Sequence, residues 1–136
     1  PRLKGDLLEL LWATAAGKLS DVGDIEWDPR ASCCIVLASP GYPEKPRTGG
    51  LIEGVEDAER MPDVTVFHAG TQRDGQGNLV TAGGRVLNVV GLGATLPEAR
   101  EKALAACDLI RFEGKQLRRD IGERSAKRKK SPVPAR

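Results

Sequence analysis

Two stretches of the chain carry residue types suited to holding an anion. In Gly83-Gly84-Arg85 the glycines allow a ligand to approach the backbone closely and leave amide hydrogens accessible. The arginine adds a planar fork that matches a phosphate or carboxylate. The second stretch, PGYPEKPRTGG from Pro40 to Gly50, brings Tyr42, Lys45 and Arg47 into a loop. Long loops of this kind on a compact domain are often functional. Together they suggest an anion site. Taken alone, the same residues fit somewhat better a hairpin turn followed by a solvated arginine, and a solvated surface loop.

Other chemistry finds less support. The single histidine, His68, ends an apolar stretch with no carboxylate or nucleophilic serine in its own motif, so a structural role is favoured over that of a base. No pair of carboxylates has a spacing that by itself argues for acid–base catalysis. GLGATLPEAR faintly resembles a dinucleotide fingerprint, but it lacks the third glycine and the acidic residue about 20 positions on, and reads instead as a turn into a capped helix. Cys33, Cys34 and Cys107 lack paired CxxC spacing, so no metal site and no catalytic role is expected of them. Buried thiols in a reducing cytoplasm are the expectation.

These residues need elements to position them. Leu7, Leu8, Leu10, Leu11, Ala15 and Ala16 recur at helical spacing behind Asp6, which predicts an amphipathic helix ending at Gly17. After the turn Asp28-Pro29-Arg30, the unbroken apolar run from Ala31 to Ser39 reads as a buried strand. The proline- and glycine-rich loop follows, then a short strand at Leu51 to Glu53 and a helical turn at Val55 to Arg60. Val64 to His68 reads as a strand, with RDGQGN turning the chain into Leu79 to Thr81 as a hairpin. Arg85 to Leu92 is a further strand. Thr95 with Glu98 three residues on is a capping box, and Pro97 sits in the first turn of a helix running to about Ile110. Phe112-Glu113-Gly114 turns into a short terminal segment through Ile121. Strands and helices mixed without regular alternation predict an α+β fold with a small antiparallel sheet or open barrel and flanking helices; a Rossmann sheet is disfavoured.

The chain has 136 residues, enough for one globular domain with appendages. It opens on Pro1 and runs straight into a helix, so no signal peptide is read and the chain is expected to be cut from something larger. Its apolar stretches are far shorter than the roughly 20 residues that span a bilayer, which excludes a membrane helix. The net charge of +2 hides an asymmetry. Six of the 21 basic residues lie in the last thirteen positions, and without them 15 basic residues face 19 acidic ones, a body of charge −4. A nucleic-acid partner is therefore disfavoured. From Ser125 to Arg136 the sequence is basic and lacks apolar anchors, and is expected to be disordered.

WDPRASCCIVLASPGYP, VFHAGT, GGRVLNVVGLGATLPEAREKA and RRDIGERS occur in this order. Together they resemble the C-terminal region of the phosphoribosylamine–glycine ligase family. PRLKGDLLELL is similar to the helix that follows that family's ATP-grasp metal-binding segment. The likeness covers Pro1 to about Ser125 and departs from the family pattern in the extra prolines of the loop and in Asn88.

The resemblance implies an ATP-dependent carbon–nitrogen ligase of purine biosynthesis, joining glycine to phosphoribosylamine with ATP and Mg2+ or Mn2+. The chain would be its C-terminal part, inactive alone, with the N-terminal ATP-grasp segments as its partner and phosphoribosylamine and glycine as small-molecule substrates. Residues 1–30 would be the end of the ATP-grasp domain and a linker. Residues 31–124 would be the C-terminal domain, of the rudiment single-hybrid type, and 125–136 a tail. Basic residues of this domain hold a ribose 5-phosphate in related enzymes, which places that role on Arg85 with Gly83 and Gly84, and on Lys45 second. Two other readings stay open: a stand-alone module for an acidic ligand or nucleic acid with the tail as its electrostatic arm, or a homologue serving only as an interaction domain. An upstream reading frame encoding ATP-grasp segments would favour the ligase.

Overall fold

The computed structural model describes residues 1–127. The chain divides into two compact units, Pro1–Arg30 and a second that starts at Ala31. In the first, helix α1 (Leu7–Ala15) begins where the Asp6 carboxylate accepts the Leu8 amide at 2.7 Å. The helix forms where the periodicity predicts it. However, Leu7, Leu8, Leu11 and Trp12 are each more than half exposed, and only Ala13 is buried. The turn before Ala31 is held by Asp28, whose carboxylate accepts from the Arg30 amide at 2.9 Å and from its guanidinium at 2.7 Å.

These hydrogen bonds, chiefly from the Arg30 side chain, lower the Asp28 pKa from 3.8 to about 2. Because the folded value is the lower one, the turn's contribution to stability is complete above 3.8 and is lost as pH falls through about 2. We expect the Asp28 carboxyl to titrate near 2 by NMR. The stability difference between the parent and Asp28→Asn should be present at about pH 6 and gone at the acid end of that window.

The second unit is α+β. Strands β1 (Ala31–Ala38), β2 (Val64–His68) and β5 (Arg85–Gly93) form an antiparallel sheet of order β1-β5-β2. Central β5 is apolar almost throughout and is buried along most of its length. β3 (Thr71–Arg73) and β4 (Leu79–Thr81) form a second antiparallel pair. The RDGQGN turn exists, with Asp74 accepting the amides of Gln76 and Asn78 at 2.9 Å, but the strand entering it is β3. Val64–His68 does not join that hairpin; it pairs with β5 instead. Thr71-Gln72-Arg73 is too short and too polar to announce a strand, and only its ladder with Thr81, Val80 and Leu79 makes it one.

Helix α3 (Leu96–Leu109) covers one face of the larger sheet. Thr95 caps it by accepting the Glu98 amide, while Glu98 reaches back to the Ala94 amide at 2.9 Å. Its buried stripe of Ala99, Ala103, Ala106 and Cys107 is made of small side chains, so the helix lies close on the sheet against Ile35, Leu37, Leu87 and Val89. Lys115 closes its far end, donating to the carbonyls of Cys107, at 2.6 Å, and Ile110. The short helix α2 (Val55–Glu59) packs beside it.

Two expectations change. Cys33 and Cys107 are buried, and burial pushes the Cys107 thiol up to about 12, but Cys34 is exposed. It belongs to the other face of β1, which an unbroken apolar run does not distinguish. A short helix α4 (Glu123–Lys127) extends past Ser125, where disorder was expected to begin; the rest of that tail, 128–136, lies outside the described residues. Among the described residues, no helix is long and apolar enough to cross a membrane.

Candidate functional site

The proline-rich loop and the start of β5 meet in a cleft of about 630 Å³, lined by Tyr42, Pro46, Ala69, Gly84, Arg85 and Asn88. The loop reaches β5 because it folds back on itself: the Lys45 amide donates to the Gly41 carbonyl and the Arg47 amide to the Pro40 carbonyl, both at 2.9 Å. Ser39, buried at the end of β1, ties the two parts together. Its amide donates to the Gly84 carbonyl at 2.9 Å and its hydroxyl to the Gly83 carbonyl at 2.8 Å.

The glycine pair has a visible structural use. A Cβ at Gly84 would stand 2.6 Å from the Tyr42 ring, and one on the facing Gly70 would stand 2.7 Å from the Gly83 Cα. The close approaches present are thus to Tyr42 and to a second glycine of the chain. The amides of Gly83 and Gly84 nonetheless have no acceptor among the described residues.

Arg85 is exposed, and its guanidinium has no hydrogen-bond or ion-pair partner among the described residues. It stands between this cleft and a neighbouring groove of about 430 Å³ along Cys34, Val36, Leu117 and Ile121, and lines both. Of Tyr42, Lys45 and Arg47, the loop's three candidate residues, only Tyr42 accompanies it. Lys45 is exposed and outside the cleft lining, and Arg47 lines a separate small pocket with Thr81 and Glu113. The anion-binding types singled out in the sequence are therefore only partly brought together. His68 is exposed, with Nδ1 3.0 Å from the Thr71 hydroxyl, and so braces the turn between β2 and β3. Asn88 was noticed in the sequence only as a departure from a pattern. It lines the cleft, and the signal was a carboxamide in the middle of an apolar strand.

Residues 32–124 match the family described as phosphoribosylglycinamide synthetase, C domain. The chain belongs to that family. A phosphoribosylamine–glycine ligase of Caulobacter vibrioides is 51% identical over 124 residues, 91% of this chain and 29% of the relative. The chloroplastic enzyme of that name from Arabidopsis thaliana is 44% identical over 94% of this chain and 24% of its own length. The crystal structure of phosphoribosylamine–glycine ligase from Thermotoga maritima aligns at a TM-score of 0.55 with 43% identity, over 63% of this chain and 20% of that one. This member of the family thus spans under a third of the length of these relatives, as their C-terminal region.

The family resemblance implied ATP and a divalent metal ion for the full-length enzyme and neither on this part of it, and the described residues gather no metal site. No three of their His, Cys, Asp and Glu side chains gather closely enough to hold a metal. The Gly91-Leu92-Gly93 junction, where a nucleotide pyrophosphate would need room, is filled by the chain's own helix. A Cβ at Gly91 would stand 2.2 Å from the Ala99 carbonyl oxygen, and one at Gly93 2.6 Å from the Ala99 amide.

Proposed function

We propose that this chain works as the C-terminal domain of a phosphoribosylamine–glycine ligase, which makes glycinamide ribonucleotide from ATP, glycine and 5-phosphoribosylamine. Its own part is to hold the substrate's phosphate and close one side of the active site. One observation carries the reading: family membership coincides with an arginine that has no partner among the described residues and lines a cleft of ligand size. Arg85 supplies two parallel N–H donors to the phosphate, and the unpartnered amides of Gly83 and Gly84 add neutral donors beside it. Lys45 contributes second, as a flexible point charge on the loop that walls the cleft.

With the phosphate fixed here, the amine of phosphoribosylamine is directed toward the acyl phosphate formed elsewhere in the enzyme. ATP and Mg2+ or Mn2+ are held by the ATP-grasp segments of the same enzyme, which form the partner of this domain. The free thiols at Cys33, Cys34 and Cys107 suit a reducing cytoplasm. A polypeptide joining this chain to the N-terminal segments of such a ligase is expected to form glycinamide ribonucleotide from ATP, glycine and phosphoribosylamine, and the chain alone to form none. Product from the isolated chain, or none from the joined polypeptide, would defeat the proposal.

A further inference from the structure

Asn88 is an odd residue for its position. It lies in the middle of β5, opposite Val36 of β1 and Phe67 of β2, on a sheet face that also carries Cys34 and Val90 through their pairing in the same ladder. It is half-buried, and its carboxamide makes no hydrogen bond among the described residues. Partial desolvation of a carboxamide without a partner disfavours the fold, and a branched apolar side chain would suit this place in a strand better. A polar group at such a position is free to take a partner from outside the chain, and the open side of Asn88 is the cleft it shares with Arg85 and Tyr42.

We propose that Asn88 is a specificity-determining residue of this cleft, its carboxamide taking the hydroxyl groups of a sugar phosphate whose phosphate sits on Arg85. The inference rests on the phosphate-holding role proposed above and adds the part of the ligand that is read. The chemistry divides by residue. A guanidinium recognises the anion, whereas a carboxamide presents one acceptor and two donors, the complement of a hydroxyl that both gives and receives. Tyr42, packed on Gly84 and still exposed, walls the cleft beside them.

The test uses the joined ligase polypeptide, with ribose 5-phosphate and inorganic phosphate as inhibitors competing with phosphoribosylamine. Asn88→Leu should weaken inhibition by ribose 5-phosphate about 3- to 10-fold, the loss of one neutral hydrogen bond, and leave inhibition by inorganic phosphate unchanged. Asn88→Val, whose side chain suits a strand, should give the same separation if the leucine variant folds poorly. Arg85→Ala should weaken both inhibitors. If the Asn88 variants leave ribose 5-phosphate unaffected, or weaken both probes equally while Arg85→Ala still weakens both, the assignment of Asn88 is overturned and the phosphate reading stands. If Arg85→Ala changes neither, both fall.

Discussion

Replacing Arg85 with alanine in the joined ligase is expected to raise the Michaelis constant for phosphoribosylamine by roughly 10- to 150-fold. That range is the loss of a hydrogen bond to a charged group, about 1.5–3 kcal/mol. It assumes that the guanidinium has nothing else to do, and Arg85 has no partner among the described residues whose loss would disturb the fold. The melting temperature of Arg85→Ala should accordingly stay within about 2 °C of the parent, since surface substitutions away from networks are usually within ±0.5 kcal/mol. Arg85→Lys should recover only part of the affinity, because an ammonium is a point charge without the two-pronged geometry. The Michaelis constant for ATP should hardly move, since no nucleotide pocket is assigned to this domain. An unchanged constant for phosphoribosylamine in Arg85→Ala would make Arg85 an ordinary solvated arginine at the start of a strand.

The frame of this domain was legible wherever a local signal is also the structural cause. Thr95, Pro97 and Glu98 announce α3 because the same atoms that mark its start in sequence satisfy its first amides. The apolar run after Ala31 announces β1 for an equally direct reason. Illegible parts depend on what lies across the fold. Cys34 reads like Cys33 in a continuous apolar run, but strand alternation turns Cys33 to the α3 side and Cys34 to the open groove. Thr71–Arg73 has no pattern of its own and takes its strand form from β4. In the site, the glycine pair correctly signalled a close approach, while its partners, Tyr42 and Gly70, are 42 and 13 positions from Gly84 and Gly83. The loop's three candidate residues look equivalent in sequence. The turns closed on Gly41 and Pro40 separate them, sending Tyr42 to the cleft and Arg47 toward Glu113.

The contact between α3 and β5 yields the second large expected effect, this time on stability. Gly91 pairs with Cys33 on one side and Val64 on the other, and the helix backbone lies directly above it. An added Cβ would stand 2.2 Å from the Ala99 carbonyl oxygen and 2.8 Å from the Ala103 amide nitrogen. Both are main-chain atoms in the middle of a helix, so no side chain can swing aside. Gly91→Ala must push α3 off the sheet and open the packing of Ala99, Ala103 and Ala106, which are fully buried. Overpacking of a tight core costs typically 1–3 kcal/mol and more when backbone must move, so a loss of about 3 kcal/mol is expected. For a domain of this size that lowers the melting temperature by roughly 12 °C or more. Gly75 supplies the control. It has open space around its Cβ position and does not adopt a left-handed conformation, so Gly75→Ala should be neutral or stabilising by up to about 1 kcal/mol, through the unfolded chain alone. Melting curves of the two variants decide the matter. Equal melting temperatures would mean that α3 does not rest on Gly91, whereas a large drop in Gly91→Ala alone would locate the close packing of this domain at that glycine.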